Sequence, residues 1–221
     1  MTGVAIVFFT VFASYLAAFR PELAGTNGFW WTFGLPHAAL AIFALLRMHQ
    51  RGTLLERLAP RGGDISIGAI TALLLLAASW AARGALAPAG TPRQGWLLLL
   101  FLQIGDPEHL QRSVVLTSAL CLIALAEEIV WRGYVLDELN ERFGKRLGWV
   151  IAALLYAAAA LPTAYTLRLP GVGPNPLLVF AAFGCGIVWT FLAGRFGRLL
   201  PSAVSHVAFS YFSAVQFRWP V

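Results

Sequence analysis

Two adjacent carboxylates, Glu127 and Glu128, sit inside the apolar run Ala124 to Tyr134, which reads as helix. A charged side chain at the centre of a membrane helix costs roughly 2.5–3.5 kcal/mol on insertion scales, so an acidic pair in such a run calls for a functional reason. Residues four apart share a helix face, and Glu128 precedes Arg132 by four, in the favourable acid-then-base order. Glu128 is therefore expected to be held ionised by Arg132. Glu127 is rotated ~100° from it, with Ile123 and Trp131 as turn-mates, and reads as the freer, less compensated acid, available as a general base. One arginine needs only one carboxylate, so a purely structural ion cluster leaves the second acid unexplained.

A second polar stripe lies near the C-terminus, where Ser202, His206 and Ser210 recur at four-residue intervals, with Ser213 nearby. His206 is one of the few groups able to exchange protons within an apolar bundle. His37 and His49, near a basic loop, and His109, in Asp106-Pro107-Glu108-His109, are expected at interfaces.

The elements that must position these groups are set by composition. Of 221 residues, 59% are hydrophobic and 12% charged, and the mean hydropathy is +0.73. These values exclude an ordinary soluble globule and identify an integral membrane protein. The formal charge of +6 arises from residues between apolar runs rather than on one basic face, so nucleic acid is not an expected partner. Cys121 and Cys185 lie within apolar runs without ligand spacing, and no HExxH motif occurs. Neither a disulfide, a metal nor a cofactor is expected.

Apolar segments fall at about 3–19, 29–46, 65–82, 113–136, 147–161, 176–193 and 199–215. The first lacks a preceding Lys or Arg and reads as a retained membrane helix rather than a cleaved signal. Pro36 is expected to kink the second, and Trp30-Trp31 to anchor it at an interface. Trp96 to Ile104 is apolar but only nine residues long, so it is expected to be re-entrant, interfacial or half of a broken helix. Gly144 is expected to stop the helix that carries the acidic pair. If Trp96 to Ile104 does not cross, nine basic residues collect in cytoplasmic loops: Arg47, Arg51, Arg57, Arg61, Arg142, Lys145, Arg146, Arg195 and Arg198. Arg20, Arg83, Arg93, Arg112, Arg168 and Arg218 then lie on the other side. The expected fold is an all-α polytopic membrane helix bundle of about seven to eight transmembrane helices, one domain over residues 1–221.

Glu127-Glu128-Ile129-Val130-Trp131-Arg132-Gly133 resembles the EExxxR motif of the intramembrane glutamic endopeptidases that include the type II CAAX prenyl proteases and the bacterial Abi proteins. The resemblance extends over a core at 111–215 that includes Leu154-Leu155-Tyr156 and the segment from Leu200 to Phe209. It implies metal-independent peptide hydrolysis, with Glu127 as the base acting on water and Glu128 and Arg132 positioning it. It also implies His206 and Ser210 at the oxyanion site, Ser210 standing where the family usually has asparagine, and Tyr156 and Trp131 near substrate. The family's second motif places a histidine four residues after an aromatic one, whereas here Tyr156 is followed by Ala160. The chain is thereby expected to be slow, inactive or dependent on another group. The implied substrate is a membrane-anchored protein or peptide cut near its C-terminus, in a cell membrane, with the bacterial inner membrane favoured. The competing expectation is a non-catalytic scaffold or immunity-type protein that keeps the fold and binds peptide without cutting it.

Overall fold

A computed structural model describes residues 1–215, and all regular structure within them is helical. In chain order come α1 (Thr2–Ala18), a 3₁₀ turn at Pro21–Leu23, α2 (Asn27–Gln50), α3 (Leu54–Leu58), α4 (Asp64–Leu86) and α5 (Gln94–Ile104). They are followed by α6 (Pro107–Arg112), α7 (Val114–Glu128), a π-helical segment at Ile129–Val135, α8 (Leu136–Ala159), α9 (Pro162–Thr166), α10 (Leu177–Phe196) and α11 (Leu200–Val215). Among the described residues, four helical stretches are long and apolar enough to cross a membrane: α2, α4, the continuous run from α7 to α9, and α10. α1 is apolar but shorter.

The distribution of side chains follows from a solvent that cannot hydrogen-bond. Phe9, Leu73, Leu74 and Phe191 face outward, while Glu127, Glu128, Arg132, His37, Gln103, Asn175 and His206 are buried. Polar groups that would be costly against lipid thus find partners inside the bundle. Trp30-Trp31 divides accordingly: Trp31 faces outward, but Trp30 is buried in the bundle rather than acting as an interfacial anchor.

Small residues set the closest helix contacts. A Cβ added at Gly68 would lie 2.7 Å from Val204 Cβ and 2.8 Å from the Pro201 carbonyl oxygen, so α4 meets α11 at a distance only glycine permits. Gly144 breaks α8 as expected, with φ of 77° and ψ of 158°. The first part of α8 is the polar extension of the motif helix; the second returns through the bundle to Tyr156.

The arginine-rich segments meet at one end of the bundle. Arg57 pairs with Asp137, Arg51 with Glu138 and Glu141, and Arg198 Nη2 lies 2.6 Å from Asp64 Oδ1. The Leu199 amide also donates to the Arg57 carbonyl at 2.9 Å. Sequence alone makes these charges topology signals; the structure shows that three of them, Arg51, Arg57 and Arg198, also clasp α2–α4 to the motif helix and to the start of α11.

At the other end, α5 is a separate helix of eleven residues. It is ~16 Å long, well short of an apolar layer of ~30 Å. Gln103 Nε2 donates to the Ala18 carbonyl at 2.8 Å, and Asn175 Nδ2 to the Trp96 carbonyl at 2.9 Å, tying both ends of α5 to neighbouring loops.

Because segments 47–64, 137–146 and 195–199 share one end, a reporter fused after Arg198 is expected to report the cytoplasm; a signal from the opposite side would reverse the orientation. Arg218 lies outside the described residues. Gly68→Val is expected to lower thermal stability in detergent by separating α4 from α11, and unchanged melting would contradict that contact.

Candidate functional site

The acidic pair lies where α7 passes into the π-helical segment, a geometry often found at functional sites and one that spacing did not reveal. The widened turn still brings Arg132 back onto Glu128, with Nη1 3.2 Å from Oε1 and both side chains fully buried. Arg132 lies over the Tyr156 ring at 4.2 Å and the Trp189 ring at 5.5 Å, so aromatic faces enclose its remaining surface. Its Nη2 also points to the Gly186 carbonyl at 3.5 Å.

Glu127 is not the less compensated acid expected from its position. Tyr156 donates its hydroxyl to Oε2 at 2.7 Å, and the Tyr15 hydroxyl lies 3.5 Å from Oε1. His37 Nε2 is 3.4 Å from Oε1, and His206 Nε2 is 3.5 Å from Oε2. These partners come from α1, α2, α8 and α11, so turn-mates on one helix could not disclose them.

His206 bridges the two acids, with Nδ1 2.9 Å from Glu128 Oε1. An ionised carboxylate only accepts, so Nδ1 carries the proton and Nε2 is turned toward Glu127. The ring stacks on Trp189 at 3.7 Å, and Trp189 in turn donates to Ser205 Oγ at 3.1 Å. The imidazole is thereby fixed in plane and in direction.

Glu127, Tyr15, Tyr156, His206 and Ser210 line a cavity of about 370 Å³ whose walls are otherwise largely apolar. It is roofed by α5 through Leu97 and Phe101 and lies away from the arginine-rich end. This size is within the range of small-molecule and short-peptide sites.

Of the expected site residues, Glu127, Tyr156, His206 and Ser210 line the cavity, Glu128 and Arg132 stand behind Glu127 outside its lining, and Trp131 and Ala160 lie elsewhere. Trp131, expected near substrate, is buried and packs edge-on against Tyr156 with ring centroids 5.5 Å apart, outside the cavity lining. Ala160 is buried at the end of α8, one turn beyond Tyr156, and its carbonyl accepts from the Thr163 hydroxyl at 2.7 Å.

His37 corrects the expectation of an interfacial residue: it is 1% exposed and faces Glu127. His49 and His109 are exposed. The usable signal for His37 was its flanking sequence, since Phe33, Leu40 and Ala41 are apolar while charges surround the other two. Tyr15 carried no comparable signal.

Fold and site together define an all-α membrane protein with an acid–histidine centre buried beside an apolar cavity. Residues 109–212 match the family model described as type II CAAX prenyl endopeptidase Rce1-like, and this match supports a CAAX-protease relationship over that core. No curated protein and no solved structure matches the chain significantly. The matched segment contains the acidic pair, Tyr156, His206 and Ser210; Tyr15 and His37 precede it.

Arg132→Met is expected to destabilise the protein by about 3–5 kcal/mol, because it leaves Glu128 as an uncompensated buried charge. Glu127→Gln, nearly isosteric, is expected to fold. Equal melting of Arg132→Met and wild type would contradict the pairing. A Cβ at position 186 would lie 2.9 Å from Tyr156 Cδ1, so Gly186→Ala is expected to cost about 1–3 kcal/mol by displacing that ring.

Proposed function

We propose that this chain is a metal-independent intramembrane endopeptidase that cuts a membrane-anchored protein or peptide near its C-terminus. The observation that carries the reading is Glu127, a buried carboxylate bordering the cavity with its Oε2 held by Tyr156. Glu127 takes a proton from water as the water oxygen attacks the peptide carbonyl carbon. Negative charge then develops on the carbonyl oxygen. His206, when protonated at Nε2, and Ser210 one turn on are placed along the cavity to donate to it.

Glu128 and Arg132 act behind this pair. Their ion pair fixes His206 through Nδ1 and returns one negative charge to balance. The apolar walls suit an aliphatic or lipid-modified tail. Under the charge-sorted orientation, the cavity lies toward the non-cytoplasmic half of the bundle, in a multi-pass protein of a bacterial inner membrane.

The second reading is a scaffold that binds peptide without cutting it, favoured by Ala160 in place of the family's histidine. C-terminal peptide mapping of membranes from cells carrying wild type or Glu127→Gln separates the two. New C-termini that disappear with Glu127→Gln are expected; identical termini would favour the scaffold. Metal analysis of the active protein is expected to find no stoichiometric zinc, and finding it would overturn the metal-free mechanism.

A further inference from the structure

We propose that His37, from helix α2, pairs with Glu127 through a shared proton and holds that carboxylate toward the cavity, in a chain that has alanine at position 160. The inference rests on Glu127 acting as the base. It concerns a residue outside the matched segment, on a different helix from Ala160.

Tautomer logic carries it. His37 Nδ1 lies 2.7 Å from the Phe33 carbonyl oxygen, and a carbonyl can only accept, so Nδ1 bears a proton. Nε2 is then a bare lone pair in the neutral ring and an N–H donor in the imidazolium. It is buried, has no hydrogen bond of good geometry among the described residues, and faces Glu127 Oε1 at 3.4 Å. Two lone pairs at that distance repel, so one proton belongs to the contact: on Nε2 when Glu127 is ionised, on Oε1 when it is neutral. Contacts of this length in a resting site commonly tighten once substrate binds.

Charge balance points the same way. Glu127 and Glu128 carry two negative charges against the single guanidinium of Arg132 in a buried cluster. In the resting site, with His206 neutral and its one proton on Nδ1, an imidazolium at His37 restores neutrality where an excess charge is costly. The other groups facing Glu127 are Tyr15 and Tyr156, which donate neutral hydroxyls, and His206, already committed to Glu128.

His37 does not line the cavity, so it is a positioning residue that acts through Glu127. In the step it supports, a water O–H bond breaks as the oxygen bonds to the carbonyl carbon. The proton passes to Glu127 and the carbonyl π pair moves onto oxygen. Collapse of that intermediate breaks the C–N bond, and the proton on Glu127 goes to the amine nitrogen. The proton held at His37 is not consumed.

The test uses full-length protein in nanodiscs with isolated bacterial membrane proteins as the substrate pool, read by C-terminal peptide mapping. His37→Ala is expected to lower Glu127-dependent processing by roughly 10²-fold, and H37A/A160H to restore most of it. Processing by His37→Ala at the wild-type rate would overturn the inference while leaving Glu127 as base. Absence of processing by wild type would instead count against the protease reading. The pairing itself is read independently by ¹⁵N NMR of the histidines: Glu127→Gln is expected to shift His37 Nε2 and leave Nδ1 in place. An unmoved Nε2 resonance would overturn the pairing whether or not the protein cuts.

Discussion

Two carboxylates buried beside one guanidinium, in a bundle surrounded by lipid, are the constraint on which the other features depend. Charge of this kind is tolerated only when opposite charge and hydrogen-bond donors offset it, so the surrounding helices must supply partners from several directions. Arg132 neutralises Glu128, Tyr156 and Trp189 enclose Arg132, and Trp189 stacks on the histidine that bridges both acids. Removing any one of these leaves a polar group exposed to an apolar interior. The same arrangement that makes the cluster tolerable also fixes its geometry.

That geometry is positioned by features remote from the acids. The clasp of Arg51 and Arg57 on Asp137 and Glu138 anchors the motif helix just past the π-helical segment. At the opposite end, Gln103 and Asn175 hold the short α5 across the cavity. Gly68 and Gly186 allow backbones to approach where any side chain would intrude on α11 or Tyr156. The bundle is therefore held firmly at its two ends around a central region that keeps a cavity beside a charged cluster.

The sequence disclosed what a single helix can disclose. Four-residue spacing paired Glu128 with Arg132 and placed His206 and Ser210 on one face, and Gly144 marked its own break. It did not disclose relations between helices. Glu127 read as isolated because Tyr15, His37, Tyr156 and His206 reach it from four other helices. Trp131 read as a substrate contact because sequence adjacency to the acids does not say which way a ring points in a widened turn. The π-helical segment and the outward and inward division of Trp30-Trp31 were invisible for the same reason, since both are decided by packing. Ala160 marked a missing histidine, but only the fold shows that the His37 imidazole faces Glu127.

Isotope placement in a single turnover tests most directly whether Glu127 activates water, as proposed, rather than attacking the peptide itself. Protein in excess over a processed peptide would be mixed in H₂¹⁸O, quenched after one turnover and examined by mass spectrometry. Glu127 as a base predicts ¹⁸O in the new C-terminal carboxylate of the product and none in the protein. Label in the Glu127 side chain, with an unlabelled first product, would mean that the carboxylate is the nucleophile and would contradict the account.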